Sequence, residues 1–221
     1  SIENTLYNTT FNLNRSQEKL FLALEIDQRE GLDAAKQKLA KLNLKIRFDK
    51  KSGLSVESSL PPRQADELAD AIIALFILTK DLVKDVPVLV NDVRKLSSAV
   101  KDMQQLFKTE LQVSLFAGDL SPFEAVKAFD ALRKNTVQVP QMLITAVSLS
   151  RELRKTVSFL QFLLSDNKDA LAELQPESKR IAGAPGDSCQ CAEDFAPLEL
   201  PDTQTNTNND IAAAPAPGAT R

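Results

Sequence analysis

The sequence predicts a mainly α-helical protein: a long kinked helix in an antiparallel helical bundle or coiled-coil hairpin, a small N-terminal α+β region and a disordered C-terminal tail. Three observations support this prediction. They are a heptad pattern of apolar residues over positions 68–107, a strand-turn-strand pattern before it, and a polar, proline-rich composition near the end of the chain. We therefore expect three parts, residues 1–60, 61–175 and 176–221.

The N-terminal part contains a predicted β-hairpin preceded by a helix. Apolar and polar residues alternate over residues 44–49 and again over 54–58, on either side of a polar turn that ends in Gly53. Apolar residues recur at helical spacing over residues 30–43. Residues 19–26 fit either a buried strand or a helix. We favour the strand, which gives a β-α-β-β unit, because two strands alone are marginally stable. The alternative is a helical pair plus a hairpin.

The long helix is predicted to begin after Pro61 and Pro62, because tandem prolines interrupt helices and central strands. Twelve positions from Leu68 to Phe107 alternate in steps of four and three, and eleven are apolar. This heptad seam is typical of a coiled coil, although a long helix in an antiparallel bundle shows the same stripe. Pro87 lies inside the unbroken seam, which favours a kink over a chain reversal. The predicted partner-binding residues are Leu68, Ile72, Leu75, Leu82, Leu89, Val93, Leu96 and Val100.

Two further helices are predicted. Ser121 and Glu124 form a capping-box pattern that begins a helix reaching about residue 134, with Phe123, Val126, Phe129 and Leu132 facing inward. A helix over residues 137–165 is the expected antiparallel partner of residues 87–115. Since this partner is shorter than the long helix, part of the seam needs cover from the N-terminal region or from another protein.

Two surface patches are candidates for binding. Residues 71–78 are apolar on every face, yet they are far shorter than the ~20 residues that span a bilayer. Ile73, Phe76 and Ile77 therefore form a predicted membrane or partner patch, the alternative being a fully buried helix segment. A basic run is predicted to face anions, although such a run is more typical of a solvated face. Its residues are Lys36, Lys41, Lys45, Arg47, Lys50 and Lys51.

The composition excludes several chemistries. Without histidine, the chain lacks Ser-His-Asp and Cys-His catalysis and histidine-ligated metal sites. Cys189 and Cys191 alone supply half of the four ligands that zinc prefers. One tyrosine and no tryptophan make base stacking scarce, which argues against nucleic-acid binding. We therefore expect no catalytic residue, no cofactor and no metal site, and a protein that is not an enzyme.

The tail and the start of the chain suggest a location. Residues 176–221 carry seven acidic and three basic side chains and six of the eleven prolines. Such a segment is expected to be disordered, except where Phe195, Leu198 and Leu200 dock. The non-methionine start suggests processing and a bacterial envelope or periplasmic lipoprotein, with the cytoplasm as the alternative.

The predicted function is that of a scaffold or adaptor, which binds a protein partner or itself through the long helix. The alternative is a membrane-interacting pore-former or lipid binder that uses residues 71–78 and the basic face.

Overall fold

The structure, a computed structural model, describes residues 1–175, so the predicted tail and its two cysteines lie outside the described residues. The described chain is mainly helical and contains one small two-stranded antiparallel sheet. The helices are α1 (Ile2–Leu24), α2 (Gly31–Ala40), α3 (Pro62–Ala117), α4 (Pro122–Asn135), α5 (Gln138–Leu163) and α6 (Lys168–Glu173), and the strands are β1 (Lys45–Asp49) and β2 (Gly53–Glu57).

Helix α1 replaces the strand that was favoured at residues 19–26, and that prediction is wrong. The β-α-β-β unit does not form, and the helical pair plus a hairpin is the arrangement present. The buried residues of α1 continue at helical spacing from Leu6 through Leu13 to Leu20 and Leu24. Residues 19–26 contain only the end of this pattern, so they do not show it when they are considered alone. Glu25, with a φ of 58°, ends the helix in the left-handed conformation.

The predicted β-hairpin is confirmed. Strands β1 and β2 pair so that Ile46 lies opposite Val56 and Phe48 lies opposite Leu54. These side chains point towards the core, where the Phe48 ring meets the edge of Phe76 of α3 at 5.9 Å between centroids. The Asp49 carboxylate accepts hydrogen bonds from the Lys51 backbone N–H and the Ser52 hydroxyl within the turn. Strand β2 contacts α3.

Helix α3 is a single helix that continues through Pro87, as the unbroken seam predicted, so the chain does not reverse there. Its 56 residues correspond to a length of ~84 Å. It begins directly after Pro61 and ends at Gly118, whose φ of 80° glycine adopts without strain. Its buried residues extend from Leu68 to Val93, and none follows between Val93 and the end of the helix.

Helices α1, α3 and α5 contact one another around a single apolar core. This core draws residues from both sides of position 60. Gln17 donates a hydrogen bond to the Thr156 hydroxyl at 2.9 Å and links α1 to α5. Helix α5 buries a stripe of residues spaced by three and four positions, which comprises Val139, Met142, Ala146, Leu149, Leu153, Thr156 and Leu160.

Candidate functional site

Most of the predicted partner-binding seam lies inside the chain's own core. The six residues from Leu68 to Val93 are at most 9 % exposed, and only Leu96 and Val100 are half-buried. The buried members lie where α3 contacts α1 and α5. Their assignment as a partner-binding surface is therefore corrected, because α1, unrecognised as a long helix in the sequence, supplies the missing cover. The buried residues are Leu68, Ile72, Leu75, Leu82, Leu89 and Val93.

The exposed apolar surface lies farther along the same helix. We define the distal arm as residues 96–137, which comprise the end of α3, all of α4 and the turns beside α4. Among the described residues, eight of the 15 exposed large apolar side chains fall in this segment, although it is about a quarter of the described chain. They are Met103, Leu106, Val113, Leu115, Phe116, Phe123, Val126 and Val137.

Only one side of α3 is covered in the arm. Val100, Gln104, Phe107 and Leu111 are half-buried along one stripe, and the Gln104 amide donates to Thr136 at the end of α4. This stripe is therefore the side of α3 that α4 covers. Among residues 1–175, nothing covers the adjacent face, which is exposed.

Five residues of α3 line this open face. Lys95, Ala99, Met103, Leu106 and Glu110 follow one another by steps of four, four, three and four residues, so they share one side of the helix. All five are exposed. The face therefore has a basic residue at one end, an acidic residue at the other and apolar residues between them.

The tip of the arm carries two exposed aromatic rings. Phe116 is 96 % exposed and Phe123 is 76 % exposed, the highest values among the exposed large apolar side chains of residues 1–175. The Ser121 capping box forms as predicted and fixes the start of α4. The expected inward orientation of Phe123 and Val126 is wrong, because α4 packs on a single helix and buries only Ala125.

A second candidate surface is a cleft of about 350 Å³ between the β-hairpin turn and α3, which we call the hairpin cleft. Ile73, Phe76 and Ile77 line it together with Lys50 and Lys51, so members of the apolar patch and of the basic run meet here. Phe76 is 2 % exposed and Ile73 is half-buried. Of Ile73, Phe76 and Ile77, only Ile77 has an exposed side chain. The apolar patch is therefore smaller than predicted.

The other predicted anion-facing residues lie elsewhere. The Lys36 ammonium is 5.3 Å from the centre of the Phe162 ring and 3.9 Å from an Asp33 carboxylate oxygen. Lys45 and Arg47 occupy the outer, exposed face of β1, and Lys41 is exposed just after α2. The structure thus distributes the basic run over different sides of this region.

A cleft of about 730 Å³ beside α1 and α5 has charged residues in its lining. Two of them, Lys155 and Glu152, form an ion pair at 3.4 Å, so their charges compensate each other. Hydrogen bonds from Arg29 lower the pKa of Asp27, and both side chains are exposed, as suits a turn rather than a catalytic site.

Within residues 1–175, no group of three or more acidic or cysteine side chains is placed to hold a metal ion. No helix within residues 1–175 combines the length and hydropathy needed to cross a bilayer.

Comparisons with known protein families, with curated proteins and with solved structures found no significant match to this chain. The sequence did not single out Phe116, and it predicted an inward orientation for Phe123, whereas both rings are exposed. The useful signal was the difference in length between the long helix and its partner, which indicated that part of α3 lacks cover.

Proposed function

We propose that this protein is a non-enzymatic interaction protein that self-associates through the distal arm, with its helices arranged as an antiparallel bundle. The observation that carries the proposal is the open face of α3 beyond Val93, where the described residues bury no side chain of the helix. Contiguous exposed apolar surface of this kind marks interaction sites.

The antiparallel bundle is supported by two side-chain contacts. Gln104, late in α3, donates to Thr136 at 3.2 Å just before α5 begins, whereas Lys80, early in α3, lies 3.6 Å from Glu173 of α6. The chain therefore runs back along α3 as it passes from α5 to α6. Such packing closes the core but leaves the arm outside it.

A second copy is the occupant that the arm fits best, because its open face is self-complementary. When two copies of α3 pair antiparallel about a point near residue 103, Lys95 of each lies opposite Glu110 of the other. Ala99 then lies opposite Leu106, a small residue facing a large one. A two-fold axis satisfies both charge pairs at once, as isologous interfaces require.

The exposed aromatic rings of the arm would supply part of the area that a stable dimer buries. Phe116 and Phe123 expose about 350 Å² together, taking ~200 Å² for each full ring. Two copies would contribute about 700 Å², against ~1,600 Å² for a standard interface. Six further exposed apolar side chains of the arm add to this.

The proposal is tested by measuring the mass of the full chain in solution by light scattering over a concentration series. We expect a dimer that Leu106→Glu converts to a monomer with unchanged helix content. Val88→Glu is the matched control, because Val88 is 62 % exposed on the same helix but lies outside the arm, and it should leave the mass unchanged.

Charge reversal tests the pairing itself. Lys95→Glu and Glu110→Lys should each weaken the dimer, because each places like charges opposite one another twice. An equimolar mixture of the two variants should form heterodimers, since opposite charges then face each other at both positions. A wild-type chain that stays monomeric at every concentration, or a mixture that does not associate, would refute the proposal.

Membrane contact has less support as a second function. Phe76 is buried and Ile73 is half-buried, so Ile77 is the principal exposed residue of that apolar patch. Flotation of the full chain with anionic vesicles, lost on Ile77→Glu, would favour this alternative.

A further inference from the structure

The hairpin cleft lies next to the point at which the described chain ends. Glu173 of α6 forms part of the cleft lining, and the described residues end at position 175. Residues 176–221 thus start three residues beyond a cleft-lining side chain. The part of the chain that follows residue 175 is therefore tethered close to the cleft.

The cleft combines an apolar floor with a basic rim. Phe48 and Phe76 pack edge to face at its base, while Ile77 is half exposed beside them. Lys50 and Lys51 extend from the turn, and within residues 1–175 neither makes an ion pair.

The third lysine of the rim is partly neutralised. The Lys80 ammonium lies 3.6 Å from the Glu173 carboxylate and 5.8 Å from the centre of the Phe76 ring. Three lysines against one glutamate leave the rim with a net positive charge. An occupant of matching chemistry is acidic and carries large apolar side chains.

We propose that residues 193–202 of the same chain occupy the hairpin cleft. The segment reads Glu-Asp-Phe-Ala-Pro-Leu-Glu-Leu-Pro-Asp, so it has four acidic residues and no basic one. Phe195 is the only aromatic residue after position 175, and Leu198 and Leu200 follow it closely. Acidic residues on both sides of these apolar residues match a basic rim around an apolar floor.

The tail is long enough to reach the cleft, and its covalent attachment favours the contact. Twenty residues separate positions 175 and 195, and they span at most ~70 Å when fully extended. A tether raises the local concentration of the segment to the order of millimolar, so a weak contact is sufficient to fill the cleft. Because the rim is exposed, salt should weaken the docking.

The native cysteines provide a direct test. Cys189 and Cys191 are the only thiols in the chain, and they precede Phe195 by six and four residues. Ser52→Cys adds a third thiol in the exposed turn beside the cleft. We expect the reduced full chain, treated with a short bis-maleimide, to give an intramolecular cross-link from position 52 to the tail.

A matched control measures the cross-linking yield that is expected without docking in the cleft. Ser148→Cys places a thiol at an exposed site on α5, away from the cleft. Cross-linked peptides are quantified by mass spectrometry in the monomeric fraction, so this test does not depend on self-association through the arm. The yield at position 52 should exceed that at position 148 several-fold.

Substitutions in the tail test the recognition. Phe195→Asp with Leu198→Asp should lower the yield at position 52 to that at position 148, whereas Ile211→Asp should leave it unchanged. Equal yields at positions 52 and 148 in the parent chain, or a yield that survives the double substitution, would overturn the proposal.

Discussion

Replacing Thr79 by valine is expected to stabilise the fold. Thr79 occupies a position of the heptad seam in α3 and is 0 % exposed. Its hydroxyl has no hydrogen-bond partner within residues 1–175. A buried polar group without a partner is unfavourable, since its bonds to water are lost on folding and nothing replaces them.

The expected gain can be estimated. An unpaired buried hydroxyl destabilises the folded state by about 1–3 kcal/mol, and valine occupies nearly the same volume. Allowing for partial relaxation in the native protein, we expect an increase in the free energy of unfolding of about 1–2 kcal/mol. In a chain of this size that raises Tm by roughly 2–8 °C.

Thr156 provides the opposite case and serves as the control. It is also 0 % exposed, but its hydroxyl accepts a hydrogen bond from Gln17 at 2.9 Å and donates to the Glu152 carbonyl at 2.8 Å. Thr156→Val should therefore destabilise the fold by about 1–3 kcal/mol, because the Gln17 amide loses its partner. Gln17→Leu combined with Thr156→Val should recover part of this loss.

Denaturant unfolding of the parent chain and each variant measures these changes, with equal m-values as the condition for comparing midpoints. The two substitutions should therefore have opposite effects: Thr79→Val raises the free energy of unfolding, and Thr156→Val lowers it. If Thr79→Val destabilises the fold as much as Thr156→Val does, the hydroxyl of Thr79 is satisfied and the argument is refuted.

Two further predictions concern local features. Ser121→Ala should remove the capping box and destabilise α4 by about 1 kcal/mol, seen as faster amide exchange in its first turn with little change in the global unfolding midpoint. An unchanged exchange rate would contradict it. Arg29→Gln should raise the pKa of Asp27 towards its ordinary value, as measured by carboxyl NMR titration. Because the folded-state pKa of Asp27 is lowered, its small stabilising contribution is present above the unfolded-state pKa and is lost as pH falls through the folded-state pKa.

Local signals identified several elements correctly. The period-two alternation predicted the hairpin, since side chains on a strand alternate between faces. The capping box at Ser121 predicted the start of α4, because a serine hydroxyl followed three residues later by glutamate satisfies two backbone donors at that point. The continuous helix through Pro87 followed from a seam that kept its register across the proline.

The errors arose where packing decides the outcome. Residues 19–26 have an apolar pattern that fits two structures, and their helical state follows from the buried face that α1 presents along its whole length. The direction in which Phe123 points depends on how many helices surround α4, and local sequence does not encode that number.

The sequence by itself determined the helical periodicity, the hairpin, the helix boundaries at prolines and capping residues, and the absence of histidine chemistry. These depend on backbone geometry and side-chain type within a few residues. Only the tertiary structure decided which half of the seam is buried, because the fully buried side chains of α3 end at Val93 within residues 1–175. The surface available to a partner is set by where the covering helices end, which is a property of the assembled chain.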